Sequence, residues 1–236
     1  LPVAPGVTGA THAAVRQDAL VAAAVTGDRS VLYLAPLGEA VLTPVAESAG
    51  LRRPQFDRHG DVWVSNDAGE LARVPEAGGW TPVRVQGLAE GRITSFRLSP
   101  DGARIALIVQ RPGGQQVVGL ARVVHDGADV TVEGWRQLSV ATTSVAQLTA
   151  LDVGWRAADS LLVLVNDGRT TPVQALAQDG ATIVPIGPTD ANDLVELAVA
   201  PGVPAMVRAA DGRVWRYNSD LRWSQHDVDL AAVFYP

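Results

Sequence analysis

Short apolar runs that alternate with polar or small residues, separated by turn residues, make up most of this chain. The clearest example is the segment 97–109, RLSPDGARIALIV, in which Leu98 and then Ile105 and Leu107 follow this alternation. A period of two is typical of half-buried strands. The Ser-Pro-Asp-Gly between the runs suits a tight turn, because proline presets φ, aspartate bonds its own backbone and glycine accepts positive φ. The segment is therefore predicted to be a β-hairpin.

The hairpin pattern recurs along the chain. Equivalent turns are separated by 42, 42, 57 and 43 residues. A second turn and another apolar strand follow each hairpin. The marker residues of the five turns are Asp18, Gly60, Gly102, Asp159 and Gly202. A fourth strand is predicted near Trp80, Trp135 and Trp223. Repetition of these tryptophans favours packing rather than ligand binding.

A unit of about 42 residues with four strands falls in the range of β-propeller blades. We predict an all-β fold: one β-propeller domain over residues 1–236, built from four-stranded antiparallel blades. Five blades are predicted, and six are possible if both terminal segments add strands. The predicted blades are 10–46, 52–86, 93–137, 149–187 and 194–229.

Two segments depart from the repeat. An insertion at 138–148 is either a binding loop or a tolerated insertion, since connecting loops lie on the surface and often carry function. The segment Thr43 to Leu51 has the apolar spacing of a short helix. We expect function to lie chiefly at 138–148, where the repeat is broken, and along the loops that connect the blades.

Composition excludes several classes of protein. There is no cysteine, which excludes disulfides, thiol catalysis and cysteine metal sites. No run approaches the roughly 20 apolar residues of a membrane helix, so we expect no membrane insertion by this domain itself. The 19 basic residues are all arginine, they are scattered, and the net charge is −6, which argues against a nucleic-acid partner. The chain starts at Leu1, as expected for a processed or cloned fragment.

The chain shows no motif of catalysis or cofactor binding. There is no HExxH, no Gly-x-Ser-x-Gly, no Walker loop and no GxGxxG. The four histidines lack metal-ligand spacing, and the acidic cluster at 190–196 lacks the form of a calcium loop. We therefore predict a non-enzymatic protein with no catalytic residue, no cofactor and no metal ligand.

Five residues are weak candidates for binding a partner. The arginines could meet an acidic partner, although a solvated surface accounts for them better, and the threonines lie in the insertion. The candidates are Arg52, Arg53, Thr142, Thr143 and Arg156.

The repeat resembles a known group. RLSPDGARIALIV looks like the Ser-Pro-Asp-Gly turn of WD40-like, TolB-type propeller repeats. The wider pattern is similar to the C-terminal propeller of the actinobacterial LpqB lipoprotein family. The segments that carry this resemblance are RPQFDRHGDVWVSNDAG (53–69), ITSFRLSPDGARIALIV (93–109), LTALDVGWRAADSLLVLV (148–165), PGVPAMVRAADGRVWRY (201–217) and the terminal VFYP.

The resemblance implies a cell-envelope protein. In that family an upstream lipidated cysteine anchors the protein to the outer face of the cytoplasmic membrane, and two germination-protein-like domains precede the propeller. The family is associated with the extracellular domain of a two-component sensor kinase. We therefore expect an extracytoplasmic interaction module whose partners are that kinase domain and the upstream domains of the same lipoprotein.

Two alternatives remain open at this point. A propeller hydrolase or a domain that binds a small ligand or glycan at the cell wall would bring carboxylates, or carboxylates with arginines, together at one mouth of the central channel. A scaffold that only positions the upstream domains would need no such cluster.

Overall fold

The computed structural model describes residues 10–26, 28–37, 41–127, 129–138, 149–166, 173–177, 184–185, 187–188, 191, 193–218 and 222–226. Within these ranges, twenty strands form five four-stranded sheets in which every pairing is antiparallel. Each sheet is a meander, because its strands pair in the order of the sequence. No helix in the described ranges is both long and apolar enough to cross a membrane. The all-β prediction with four-stranded antiparallel sheets is confirmed.

The first three sheets use the amino-terminal and central parts of the chain. Sheet 1 contains β1 (Ala10–Val15), β2 (Ala19–Thr26), β3 (Arg29–Pro36) and β4 (Thr43–Ser48). Sheet 2 contains β5 (Arg52–Phe56), β6 (Val62–Ser65), β7 (Leu71–Val74) and β8 (Thr81–Val83). Sheet 3 contains β9 (Arg92–Leu98), β10 (Arg104–Gln110), β11 (Gln116–Asp126) and β12 (Asp129–Gln137).

The last two sheets follow the predicted insertion at 138–148. Residues 139–148 of that insertion lie outside the described residues. Sheet 4 contains β13 (Thr149–Ala157), β14 (Ser160–Asn166), β15 (Val173–Ala177) and β16 (Val184–Pro185). Sheet 5 contains β17 (Leu194–Ala198), β18 (Met206–Ala209), β19 (Val214–Tyr217) and β20 (Trp223–His226).

The recurring turn joins the first two strands of every sheet. In sheet 3 the Ser99 hydroxyl donates to Asp101 Oδ1 at 2.5 Å and accepts from the Arg104 amide at 2.9 Å. Asp101 Oδ1 also accepts from the Ala103 amide at 3.0 Å. Gly102 has φ 66°, a left-handed conformation that favours glycine. The side chains of Ser99 and Asp101 therefore form hydrogen bonds within the turn.

The helix-like apolar spacing of Thr43 to Leu51 does not give a helix. Residues Thr43–Ser48 form β4, the outer strand of sheet 1, where Val31 pairs with Glu47 and Leu32 pairs with Ala46. A segment this short fits both periods, and pairing with β3 satisfies its backbone groups better than an isolated helical turn does.

Apolar side chains from consecutive sheets form the core. Four clusters lie between sheets 1 and 2, 2 and 3, 3 and 4, and 4 and 5. The predicted tryptophans pack at the edges of three of them: Trp80 between sheets 1 and 2, Trp135 between sheets 2 and 3, and Trp223 between sheets 4 and 5. Stacking of this kind buries both faces of a sheet that could not bury them alone.

The first strands bring the five sheets together on one side. β1 contacts β5, β5 contacts β9, β9 contacts β13, and β13 contacts β17. Gly154 on β13 permits the last approach, since a Cβ there would lie 2.7 Å from Val199 Cβ. The first strands are therefore the place where side chains from different sheets can meet.

Candidate functional site

A cavity of about 670 Å³ lies among the first strands. We call it the central cavity and define it by its walls on β1, β5, β9 and β17, with the turns that follow them. The lining segments are 12–16, 53–58, 97–100 with 102, and 196–200 with 203, 204 and 206. A cavity of this volume is in the range that accommodates small ligands.

An ion pair beside the cavity joins three sheets. Asp152 on β13 is fully buried, and its Oδ1 accepts from Arg53 Nη1 of β5 at 2.5 Å. The same oxygen accepts from the Val153 amide at 2.9 Å, and Oδ2 accepts from the Leu197 amide of β17 at 3.1 Å. Asp152 therefore has its charge and both oxygens committed to sheets 2, 4 and 5.

The backbone of Arg53 is unusual. Its φ is 51°, and it is the non-glycine residue with positive φ in the described part of the chain. The register of β5 against β6 shifts between Arg52 and Gln55, so Arg53 lies in an irregular stretch of its strand. A left-handed conformation costs about 1 kcal/mol for such a residue, and the contact with Asp152 helps to offset that cost.

Arg97 contributes a positive charge that has no acidic partner. It lies on β9, is half-buried, and donates from Nη1 to the Phe96 carbonyl at 3.0 Å. Among the described residues, no carboxylate forms an ion pair with it. Burial, and then the charge of Arg53, lower the pKa of Arg97 to about 10, so the guanidinium is still protonated at neutral pH.

His12 on β1 also lines the central cavity. Its Nδ1 atom is buried and makes no hydrogen bond within the described residues. Burial, followed by the charges of nearby arginines with Arg53 first, lowers the pKa of His12 to about 4. The ring is therefore neutral at neutral pH, and the residue lines the cavity with its Nδ1 buried behind the cavity surface.

The two carboxylates that line the cavity, Glu196 and Asp57, form hydrogen bonds with other groups of the protein. Glu196 Oε2 accepts from Arg208 Nε at 2.9 Å and from Nη2 at 2.7 Å. Asp57 Oδ1 accepts from the His59 and Asp61 amides, and its Oδ2 accepts from Trp63 Nε1 at 2.9 Å. Both carboxylates therefore have hydrogen-bond partners within the protein.

The residues predicted from the sequence fall in different places. Arg52 is exposed and pairs with Asp67. Arg156 is also exposed and lies with its guanidinium carbon 5.4 Å from the ring centre of Tyr217. Arg53 is not the solvated surface residue we expected, since its side chain is only 21% exposed and holds a fully buried carboxylate. Thr142 and Thr143 lie outside the described residues.

Three residues of the site were not predicted from the sequence, because none of them belongs to a recognised motif. They are His12, Arg97 and Asp152. A charged residue between apolar neighbours on a predicted inner strand is the signal that could have drawn attention to Asp152 and Arg97. His12 has no such signal, because its role depends on arginines of two other sheets.

The described residues hold no cluster of three potential metal ligands. His59 lies in a turn of sheet 2. Its ring contacts the ring of His125 in sheet 3, with 4.5 Å between the ring centres. Burial, and then the neighbouring His59, lower the pKa of His125. This pair belongs to the contact between sheets 2 and 3.

The arrangement of sheets recurs in solved structures of low sequence identity. YCF48 from Cyanidioschyzon merolae matches with a TM-score of 0.62 and 15% identity, over 92% of this chain and 72% of that one. The GH74 enzyme of Niastella koreensis matches with a TM-score of 0.61 and 16% identity, over 92% of this chain and 38% of that one. These likenesses define the class, an all-β domain of propeller-like sheets.

The family follows from sequence. Residues 2–236 match the β-propeller domain of lipoprotein LpqB, and the chain belongs to that family. Lipoprotein LpqB of Streptomyces avermitilis is 31% identical over 95% of this chain and 39% of its own length. The chain spans about two-fifths of the curated relatives that it matches. The resemblance predicted from the repeats is confirmed.

Proposed function

We propose that this domain is a five-bladed β-propeller that serves as a non-enzymatic protein-interaction module of a cell-envelope lipoprotein. The proposal places it on the extracytoplasmic side of the membrane, anchored through an upstream lipidated cysteine and modulating a two-component sensor kinase. The family supports the lipoprotein context, and the five four-stranded sheets support the blade number. Fold alone does not define function, so the site must carry the argument.

The observation that carries the proposal is the state of the carboxylates at the central cavity. A hydrolase would bring carboxylates and arginines together there, and the structure does bring them together. Asp152 and Glu196, however, are each held in an ion pair, with Arg53 and Arg208. A general acid or base must lie within hydrogen-bond reach of the substrate, whereas these two carboxylates are bonded to arginines of the protein. The cavity is therefore equipped for binding rather than for hydrolysis.

A binding assay tests the proposed interaction directly. The domain, alone and with its upstream domains, is titrated against the purified extracellular domain of the sensor kinase. Saturable binding is expected, and Arg156→Glu is expected to weaken it because that exposed arginine would meet an acidic surface. Arg122→Glu is the matched control, since it makes the same charge change at an exposed arginine of a different sheet, on β11. Absence of binding to either form of the protein would contradict the proposal.

The hydrolase alternative has a separate test. Turnover of cell-wall glycan fragments is expected to be absent. Turnover that is lost in Glu196→Gln and retained in Asp126→Asn, an exposed change outside the cavity, would instead support that alternative.

A further inference from the structure

The central cavity has more positive charge than its own acids neutralise. Of the four arginines in its walls, Arg16 pairs with Asp18 and Arg53 pairs with Asp152. Arg58 donates to two neutral acceptors, His59 Nε2 at 3.1 Å and the Asp101 carbonyl at 3.3 Å. Within the described part of the chain, Arg97 also donates only to a carbonyl.

Of these two arginines, Arg97 is the better candidate for binding a ligand, because its guanidinium is less exposed to solvent. A half-buried guanidinium has lost part of its hydration, and a carboxylate would normally replace it. Here the neighbouring carboxylates are already engaged, Asp152 by Arg53 and Glu196 by Arg208. Nη1 of Arg97 is used by the Phe96 carbonyl, which leaves further donors of its planar fork for a ligand.

His12 supplies a second, independent feature. Its Nδ1 is buried without a partner in the described residues, and a neutral imidazole can donate one hydrogen bond. His12 and Arg97 both line the central cavity, from β1 and β9. An anion beside Arg97 would receive a charge-assisted bond, and rotation of the His12 ring towards the cavity would add a neutral bond from its unpartnered Nδ1.

The rest of the wall limits the kind of anion. Phe56, Leu197, Val199, Val203 and Met206 line the same cavity and offer apolar surface. A ligand that fills the space therefore combines one anionic group with an apolar body, as small organic carboxylates do.

We propose that the central cavity is a binding site for a small organic carboxylate, whose carboxylate group is held by Arg97 and, once the imidazole ring turns towards the cavity, by Nδ1 of His12. Arg53 adds positive potential while it remains paired with Asp152. This inference goes beyond the proposed interaction with a kinase, and it requires only the chain itself.

The test uses a matched pair of probes, phenylacetate and its neutral isostere phenylacetamide. Calorimetry on the 236-residue chain should detect phenylacetate binding that weakens with added salt, and little binding of phenylacetamide. Arg97→Gln should lower the affinity for phenylacetate about tenfold or more. Arg122→Gln carries the same charge change at a side chain that is 72% exposed on β11, and it should leave the affinity unchanged.

Two further measurements keep the inference open to refutation if Arg97→Gln unfolds. His12→Gln should also weaken phenylacetate binding, and NMR titration of the His12 ring should show a higher pKa with phenylacetate bound, because a nearby anion favours the charged form. Equal affinity for the two probes, or binding insensitive to both cavity substitutions, would overturn the proposal. Failure here leaves the kinase-binding assay unaffected, since that assay contains no carboxylate probe.

Discussion

Two aspartates of this chain show how differently the same side chain can be used. Asp101 lies in an exposed turn, with 46% of its side chain accessible, and the bonds of its carboxylate remain within one hairpin. Asp152 is fully buried, and its bonds reach sheets 2, 4 and 5. The first belongs to the repeated unit and stabilises a turn. The second is specific to one sheet and joins the inner strands, so the two residues separate local folding from the assembly of the cavity.

The strongest test of this contrast removes Asp152. Asp152→Ala should lower the free energy of unfolding by about 3 kcal/mol, because Arg53 is left partly buried without its counter-charge and the Leu197 amide loses its acceptor. Chemical denaturation followed by tryptophan fluorescence measures this loss. A loss no greater than that of Asp101→Ala would show that the ion pair does not hold the sheets together.

A double substitution separates the unpaired charge from the lost carboxylate. Asp152→Ala leaves the Arg53 guanidinium without a counter-charge. Adding Arg53→Met removes that guanidinium and should recover part of the lost stability. If the double variant is less stable than Asp152→Ala by the full amount that Arg53→Met costs alone, the two residues act independently and the contrast fails.

Turn chemistry could be predicted from the sequence because it is local. The bonds among Ser99, Asp101 and Gly102 depend on residues close together in the chain, and the period-two pattern then gives the strands on either side. The local pattern is ambiguous at Thr43 to Leu51, where the apolar spacing also suits a short helix and pairing with β3 decides the conformation.

The cavity could not be predicted in the same way, because its contacts join residues far apart in the chain. Arg53 and Asp152 are 99 residues apart. One signal was available in the repeat: Arg53 lies seven residues before its marker Gly60, and Asp152 lies seven residues before its marker Asp159. Opposite charges at equivalent positions of two repeats indicate an ion pair between sheets, but only once the first strands are known to face each other.

The next prediction concerns pH and the cavity wall. The folded state holds the pKa of His12 near 4, below its ordinary value of 6.5, so the unfolded chain binds more protons between these values. Stability should therefore fall as the pH drops from above 6.5 towards 4, by about 2 kcal/mol, since partial exposure of the ring screens the effect.

His12→Gln lacks this contribution, so denaturation of the two proteins across that range should show the wild-type advantage shrinking on acidification. His226→Gln removes an exposed imidazole and is the matched control. Parallel curves for wild type and His12→Gln would argue against a buried, neutral His12.

The smallest effect is expected at Asp101. The hydrogen bond from Ser99, and then that from the Ala103 amide, lower the pKa of Asp101 to about 2, so its stabilising contribution is present above the ordinary value of 3.8 and is lost as the pH falls towards 2. Asp101→Asn should lower stability by about 1 kcal/mol near neutral pH, because the turn loses a charged acceptor that solvent already screens. The difference should narrow in acid, as measured by thermal unfolding at about pH 6 and about pH 3. A loss as large as that of Asp152→Ala would mean that the turn, and not the inner ion pair, controls the packing of the sheets.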